Sequence, residues 1–284
     1  MATQKIRFVT DSTCDIPQEL VEKWQIGVVP IFVNIGDESY ADDGESLDRV
    51  DYYDRLPNLN PFPTTAAPSP GMAQARIDEA FTEADHVVVI TAPAKLSALH
   101  DSFRLGCAHL PDECVTIVDG GTVTMALGYQ VLIGAEVADE TGDLAQVLVA
   151  MDQVRAQCKL VAALNTLDNL RRSGRINLAA AGIGTLLQIK PLITVIDGEV
   201  EVLARVRTSK RAREDVAERL RALAPLERLS LLHVNYPEGV DWLREQVSDI
   251  LPEALHVINV NPALGTHVGT QALGFVALPE NWRR

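Results

Sequence analysis

The sequence predicts an α/β fold in two domains. In the first half, short apolar runs alternate with helical patterns, and the run His86–Ile90 is continuously apolar after its histidine. Continuous runs of this kind between helices are typical of a mainly parallel sheet with helices on both faces. In the second half, Asp197-Gly198 separates two strand-like runs, and this dipeptide favours an antiparallel hairpin. We place the domain boundary near Thr141-Gly142-Asp143, where no long linker is present. The predicted domains are 1–143 and 144–284, and the second is an α/β domain with antiparallel strands.

Each element of the first domain is predicted from its periodicity and its flanking residues. We assign Asp15 as the N-cap of the first helix, and we expect the proline-rich stretch 63–70 to lack regular structure. The predicted strands are 6–10, 27–35, 86–90 and 115–118. The predicted helices are 17–25, 46–56, 71–84, 96–108 and 122–138.

The second domain mixes strands of both directions with helices. The hairpin strands are 192–195 and 200–207, and further strands follow at 229–234 and 256–260. Helices are predicted at 144–158, 209–222 and 242–251. We expect Gly265-Thr266-His267-Val268-Gly269 to be a glycine-flanked loop, in which the backbone can approach a ligand closely.

The composition restricts the class of function. The chain has 284 residues, 47% of them hydrophobic, and a formal net charge of -14. An acidic surface repels nucleic acid and anionic membranes, so we expect neither nucleic-acid binding nor stable membrane insertion. No secretory signal or spanning segment is recognisable, and the four cysteines lack CxxC spacing. We therefore expect a cytoplasmic protein with free thiols, no bound metal and no cofactor.

Three predicted strands end in loops rich in hydroxyl groups: Thr10–Thr13, Thr91–Ser97 and Asp119–Thr122. Ligands of open parallel sheets bind outside the carboxyl ends of the strands, where helix N-termini direct free N–H groups outward. The three loops therefore suggest a site for a small anion. The alternative is that these side chains only cap helices.

Basic residues cluster at 171–175 and 205–213, and solvated helix faces account for most of them. Arg175 is the exception because it follows Gly174 in a predicted loop, where an arginine suits a phosphate or a partner protein. His267 is the one histidine in a glycine-flanked segment. No P-loop, GxGxxG or GxSxG motif is present, and Gly182-Ile183-Gly184 lacks the third glycine.

Taken together, six segments in order resemble the DegV family over almost the whole chain. They are FVTDSTCDIP, PTTAAPSP, LSALHDSF, LDNLRRSGRI, LLQIKPLITVIDGEV with RVRTSKRA, and GTHVGTQALG. The resemblance implies a two-domain α/β protein that holds a fatty acid in a tunnel between its domains. It also implies a non-catalytic role, in which the protein presents the carboxylate to a fatty acid kinase subunit that forms the acyl phosphate for phospholipid synthesis.

By the same resemblance, Thr65, Ser97 and His267 hold the carboxylate, and Arg175 faces the kinase subunit. The chain departs from the family pattern at Ala66, Ala67, Ala98, Leu99, Ser173, Thr270 and Gln271. The loss of a hydroxyl at Leu99 predicts an altered head-group geometry. Two other functions stay open: a stand-alone serine-type acyl hydrolase using Ser97 or Ser69 with His267, and a binding module for a small anionic metabolite.

Overall fold

The computed structural model describes residues 4–177 and 189–283. Within them lie thirteen strands and ten α-helices. The strands are β1 (Ile6–Asp11), β2 (Gly27–Val29), β3 (Phe32–Ile35), β4 (Glu38–Ala41), β5 (Thr64–Ala66), β6 (His86–Thr91), β7 (Val115–Asp119), β8 (Lys159–Ala163), β9 (Lys190–Ile196), β10 (Glu199–Val206), β11 (Leu226–His233), β12 (Ala254–Asn259) and β13 (Leu273–Pro279). The helices are α1 (Gln18–Trp24), α2 (Arg49–Arg55), α3 (Pro70–Phe81), α4 (Leu99–Cys107), α5 (Met125–Thr141), α6 (Leu144–Gln157), α7 (Asp168–Arg172), α8 (Ser209–Arg221), α9 (Pro237–Gln246) and α10 (Pro262–Val268).

These elements form two compact units. The first unit comprises the chain through Phe32, Ala66–Ala156 and the C-terminal Arg283, and the second comprises Val33–Thr65 and Gln157–Trp282. The change from one unit to the other at 156/157 differs from the predicted boundary at 143/144. It lies later because α6 packs into the first unit, where Met151 lies against Gly134 and Arg155 covers Gly121. The excursion of residues 33–65 into the second unit has no counterpart in the sequence-based division.

The first unit contains a four-stranded parallel sheet in the order β2-β1-β6-β7. Strand β6 is buried at all six positions, which requires cover on both faces of the sheet and confirms the predicted parallel arrangement. The carboxyl ends of β1, β6 and β7 are adjacent, so the three hydroxyl-rich loops do leave one edge of the sheet. Helix α5 is apolar along most of its length and has twelve buried residues.

The second unit contains a six-stranded mixed sheet in the order β10-β9-β8-β13-β11-β12. All neighbours pair antiparallel except β11 and β12. The predicted hairpin is confirmed, because Asp197 (φ 48°) and Gly198 (φ 74°) both adopt the left-handed conformation that a type I′ turn requires. Helices α8 and α9 pack around a core that includes Val216, Leu229 and Phe275.

Three local predictions are wrong. The predicted strand 27–35 is two strands, since Pro30 and Ile31 interrupt it. The proline-rich stretch contains β5, which joins β3 and β4 in a three-stranded sheet. Asp15 does not cap α1; it adopts a left-handed conformation (φ 51°) and accepts a hydrogen bond from the Thr124 hydroxyl at 2.7 Å.

The remaining sequence-based predictions concern membrane spans, metal sites, cysteines and the glycine pair. None of the helices in 4–177 and 189–283 is long and apolar enough to span a membrane. These residues also contain no cluster of His, Cys, Asp or Glu that could hold a metal ion. All four cysteines are free thiols. The glycine pair at Gly182 and Gly184 lies outside the described residues.

Candidate functional site

His267 lies in the last turn of the short helix α10, so the predicted loop at this position is wrong. The helix begins after Asn261, whose side chain accepts the Leu264 N–H at 2.9 Å, and Pro262 fits its first turn. It ends at Gly269, which has a φ of 81° that favours glycine. Asn261 and Pro262 are typical of a helix start, whereas Gly265 and Gly269 favour a loop. The sequence-based prediction followed the glycines.

Two buried tyrosines of α2 hold α10 in place. Tyr52 Oη lies 2.5 Å from Thr266 Oγ1, and the Tyr53 hydroxyl donates to the Val260 carbonyl at 2.6 Å. Gly265 is required here because any larger residue would overlap the Tyr53 ring. These contacts hold the backbone of α10, which carries His267 directly after Thr266.

The structure brings two of the predicted site residues together. Thr65 Oγ1 lies 3.0 Å from Nε2 of His267, although 202 residues separate them in sequence. The other ring nitrogen, Nδ1, is buried and has no hydrogen-bond partner within the described ranges. Burial, assisted by the positive charge of Arg175, lowers the pKa of His267 to about 3. The imidazole is therefore neutral at neutral pH.

Arg175 belongs to the same neighbourhood, because its charge acts on His267. Helix α7 ends in a turn at Gly174 (φ 72°), and the Arg175 N–H donates to the Leu170 carbonyl at 2.9 Å. The guanidinium also donates to the Ser173 carbonyl. Burial lowers the pKa of this arginine from its usual value. The side chain is half-buried, which distinguishes it from the exposed Arg171 and Arg172.

Asn169 is a residue of this neighbourhood that the sequence did not single out. Its side-chain amide donates to the Thr266 carbonyl at 3.2 Å, and it lies against Gly269. It thereby connects α7 to α10, and so the Arg175 turn to the helix of His267. In the sequence, Asn169 is a polar residue within the LDNLRRSGRI segment and looks like an ordinary surface residue, so nothing nearby predicts its contact with α10.

Ser97 belongs to the first unit and lies in the loop between β6 and α4. The loop is fixed at Ala92, whose N–H donates to Asp11 Oδ2 at 2.7 Å, and at Ala94, whose N–H donates to Asp119 Oδ2 at 3.1 Å. Ser97 Oγ accepts the Leu99 N–H at 3.3 Å, which makes it a helix-start residue. Leu99 itself is fully buried, so a hydroxyl at this position would need a hydrogen-bond partner within the protein.

The N–H groups of the three strand-end loops are largely used within the protein. Asp11 is completely buried and also accepts from Thr13 N at 2.9 Å and from the Thr13 hydroxyl at 2.5 Å. Asp119 Oδ1 accepts the Gly121 N–H at 2.9 Å. Burial raises the pKa of Asp11. Carboxylates of the chain thus occupy several of the donors that the sequence suggested for an external anion.

Comparison with known proteins assigns the family. A family model described as "Uncharacterised protein, DegV family" matches residues 5–280. The chain belongs to the DegV family. A DegV domain-containing protein of Streptomyces coelicolor is 31% identical over 280 residues, 96% of this chain and 98% of its own length. One from Deinococcus radiodurans is 32% identical over 278 residues, again 96% and 98% of the two chains.

Solved DegV structures share the whole fold. A DegV family protein from Thermus thermophilus, described by its fatty acid binding, has a TM-score of 0.88 at 33% identity, covering 97% of this chain and 99% of its own. DegV of Bacillus subtilis, described as a fatty acid binding protein, gives 0.86 at 26% identity, with 98% and 100% covered. A Thermotoga maritima protein described as revealing fatty acid binding function gives 0.84 at 25% identity, with 97% and 99% covered. The α/β architecture predicted from the sequence is confirmed.

Proposed function

We propose that the protein binds a long-chain fatty acid and presents its carboxylate to a fatty acid kinase subunit, which forms the acyl phosphate in the cytoplasm. The observation that carries the proposal is the pairing of Thr65 with a neutral, partly buried His267 in a DegV chain. The fatty acid binding described for the Thermus, Bacillus and Thermotoga proteins supports the class of ligand.

Binding and orientation have different sources in this proposal. About sixteen carbons at about 0.8 kcal/mol per buried CH2 give roughly 12 kcal/mol before the costs of ordering are subtracted. The hydroxyl of Thr65 and the imidazole of His267, both in the second unit, then fix the carboxylate. Neutral groups suit this task because a buried cation would pair with the carboxylate and reduce its nucleophilicity toward a phosphoryl donor.

Arg175 is assigned to the phosphoryl transfer step. It is half-buried, its charge acts on His267 and its guanidinium donates to the Ser173 carbonyl, so we assign it to the approach of the kinase subunit and not to the carboxylate contacts. A planar guanidinium suits the charge that develops on a transferred phosphoryl group. Attack of the carboxylate oxygen on the terminal phosphorus of ATP forms the acyl phosphate and releases ADP, and the kinase subunit supplies the ATP.

The hydrolase alternative lacks an oriented base. No hydrogen-bonding carboxylate reaches His267 Nδ1 in the described parts of the chain, and every Asp and Glu of the sequence lies in those parts. A histidine with a pKa of about 3 is also a weak general base at neutral pH. Ser69 is engaged as the cap of α3, where it accepts the Met72 N–H at 3.3 Å. No observation favours this function.

The first test is the identity of the ligand. We expect organic extraction of the purified protein to release a fatty acid that mass spectrometry identifies. A protein that is free of lipid and takes up none from a titration with palmitate contradicts the proposal.

The second test concerns Thr65. Thr65→Val keeps the shape of the side chain but removes the hydroxyl that faces His267 Nε2. A hydrogen bond to a charged group contributes about 1.5–3 kcal/mol, so we expect palmitate affinity to fall roughly ten- to hundredfold. Thr64→Val on the same strand is the matched control, because Thr64 is exposed and contacts Asn34 Nδ2 at 3.4 Å. Equal affinities in all three proteins would exclude Thr65 from the head-group site.

The third test separates binding from transfer. We expect Arg175→Ala to bind palmitate within a few fold of the wild-type affinity but to lose at least tenfold in acyl phosphate formation with a kinase subunit. Arg171→Ala is the control, since Arg171 is 52% exposed and pairs with Asp168 at 3.6 Å. Equal loss of binding and transfer would make Arg175 part of the lipid site. Absence of transfer with wild-type protein would refute the kinase role and leave lipid binding.

A further inference from the structure

A small pocket of about 50 Å³ opens on the second unit where β8 ends and where β9, α8 and β13 begin. None of the residues assigned above to the fatty acid lines it. Its wall contains two cations, two amides and two hydroxyls but no carboxylate. These polar residues are Asn165, Lys190, Ser209, Arg213, Tyr236 and Gln271, and Ala163, Leu164, Ala212 and Leu273 complete the lining.

Among the described residues, Lys190 donates hydrogen bonds to one neighbour, Asn165. Its Nζ donates to the backbone carbonyl of Asn165 at 3.1 Å and to Asn165 Oδ1 at 3.2 Å. An ammonium group has three N–H donors, and the bonds to Asn165 use two of them within the described ranges. Lys190 is partly buried at the first position of β9, and the strand fixes where its side chain starts.

Arg213 has two side-chain contacts, but one of its guanidinium nitrogens is unsatisfied within the described ranges. Its Nη1 donates to Tyr236 Oη at 3.1 Å, and its guanidinium lies 5.1 Å from the centre of the Trp242 ring. The Nε atom of the guanidinium is buried and has no hydrogen-bond partner among residues 4–177 and 189–283. A buried donor without a partner costs free energy, and a bound acceptor would remove that cost.

The lack of carboxylates is unusual in this protein, which has 39 acidic residues and 25 Lys or Arg residues. Arg211, Arg219 and Arg221 of α8 all pair with acids, namely Glu218, Asp215 and Asp249. Neither Lys190 nor Arg213 forms an ion pair within the described ranges, and the segments outside them contain no Asp or Glu. Arg213 is also partly buried, whereas Lys210 and Arg211 of the same helix are exposed.

Gln271 adds a second, independent observation. It has a φ of 60°, a left-handed conformation that favours glycine, and glutamine there is strained. Its side chain nevertheless lines the pocket, where its Oε1 accepts from Asn165 Nδ2 at 2.9 Å. Because Oε1 accepts this hydrogen bond, Nε2 is the polar atom of the Gln271 amide that can donate to a ligand.

We propose that this pocket binds a phosphate group, either as the free ion or as a monoester. Phosphate at neutral pH carries nearly two negative charges and several acceptor oxygens, which match two cations without acidic partners and the donors of Gln271 and Ser209. Ser209 begins the 13-residue helix α8, whose N-terminus adds further attraction for an anion. The pocket is too small for an acyl chain, and the proposal does not depend on fatty acid binding.

The test is a titration with inorganic phosphate at pH 7.5, with ionic strength held constant by sodium chloride, followed by amide resonances or calorimetry. We expect saturable binding at one site that weakens at least tenfold in Lys190→Gln and in Arg213→Gln. Lys210→Gln is the control, because Lys210 is on the same helix and is 81% exposed. It removes one positive charge and should change the affinity less than twofold.

If Arg213→Gln does not fold, two further variants still test whether the pocket binds phosphate. Arg213→Lys retains the charge but loses the Nε donor, and a severalfold weaker affinity is expected. Gln271→Gly relieves the left-handed strain, so it should raise the melting temperature while lowering phosphate affinity. A purely structural role of Gln271 does not combine these two effects.

A parallel titration with butyl phosphate distinguishes the sources, since a monoester site binds it at least as well as the free ion. No saturable phosphate or butyl phosphate binding, an equal loss in Lys210→Gln, or acetate binding as tightly as phosphate would overturn the proposal. Palmitate titration of the same variants reports on the fatty acid site separately. Failure of one site is therefore distinguishable from failure of the other.

Discussion

The polar groups of the first unit and those of the second are satisfied in different ways. In the first, Asp11 and Asp119 accept from N–H groups of the strand-end loops, and Ser97 accepts the Leu99 N–H at the start of α4. In the second, His267 Nδ1 and Arg213 Nε are buried without partners in the described ranges. Thr10 Oγ1 is the exception in the first unit. Internal carboxylates thus hold the hydroxyl-rich loops in place, whereas the two proposed ligand sites each include a buried polar atom that the described residues leave unsatisfied.

The largest expected effect tests the scaffolding. Asp11→Ala leaves the buried N–H groups of Thr13 and Ala92 without an acceptor, at about 1–3 kcal/mol for each group. We expect the free energy of unfolding to fall by several kcal/mol in urea denaturation. Glu79→Ala is the control, because Glu79 is 68% exposed and its ion pair with Arg76 contributes little. A loss no greater than that of the control would mean that the loops are not held by Asp11.

A smaller effect tests the unsatisfied histidine. The pKa of His267 is about 3 in the folded protein, while an unfolded histidine titrates near 6.5, so the unfolded state binds more protons between these values. Stability therefore falls as the pH drops through this window, by at most about 1.4 kcal/mol per pH unit.

We expect His267→Gln to show a shallower decline than wild type between pH 6.5 and 3 in urea denaturation. His109→Gln, which changes a more exposed histidine of the first unit, is the control. Parallel pH profiles for wild type and His267→Gln would show that the imidazole is not kept neutral by burial.

The smallest expected effect decides where Ser97 belongs. Loss of a helix-start hydroxyl costs about 0.5–2 kcal/mol, so Ser97→Ala should lower stability by about 1 kcal/mol. The role that the family resemblance implies for Ser97 requires a loss of palmitate affinity in addition. Ser69→Ala provides the matched comparison, because Ser69 caps α3 in the same unit and has no proposed ligand. If Ser97→Ala resembles Ser69→Ala in stability and leaves palmitate affinity unchanged, Ser97 belongs to the scaffolding alone.

Elements with strong local signals were predictable. The apolar run of β6, the Asp197-Gly198 turn and the long helix α5 all follow from neighbouring residues. Elements whose local signals conflict were not. Strand β5 forms among prolines because β3 offers it a partner, and α10 forms across glycines because α2 packs against it.

The sequence by itself determined the α/β class, the family and the identities of Thr65, Ser97, Arg175 and His267 as candidates. Only the tertiary structure decided that Thr65 meets His267 across 202 residues and that Arg213 Nε has no hydrogen-bond partner in the part of the chain that the structure describes. The physical reason is that local conformation depends on adjacent residues, whereas burial, pKa and hydrogen-bond satisfaction are sums over groups distant in sequence. Lys190 and Gln271 carried no local signal, because a pocket exists only once the strands and helices that line it have packed.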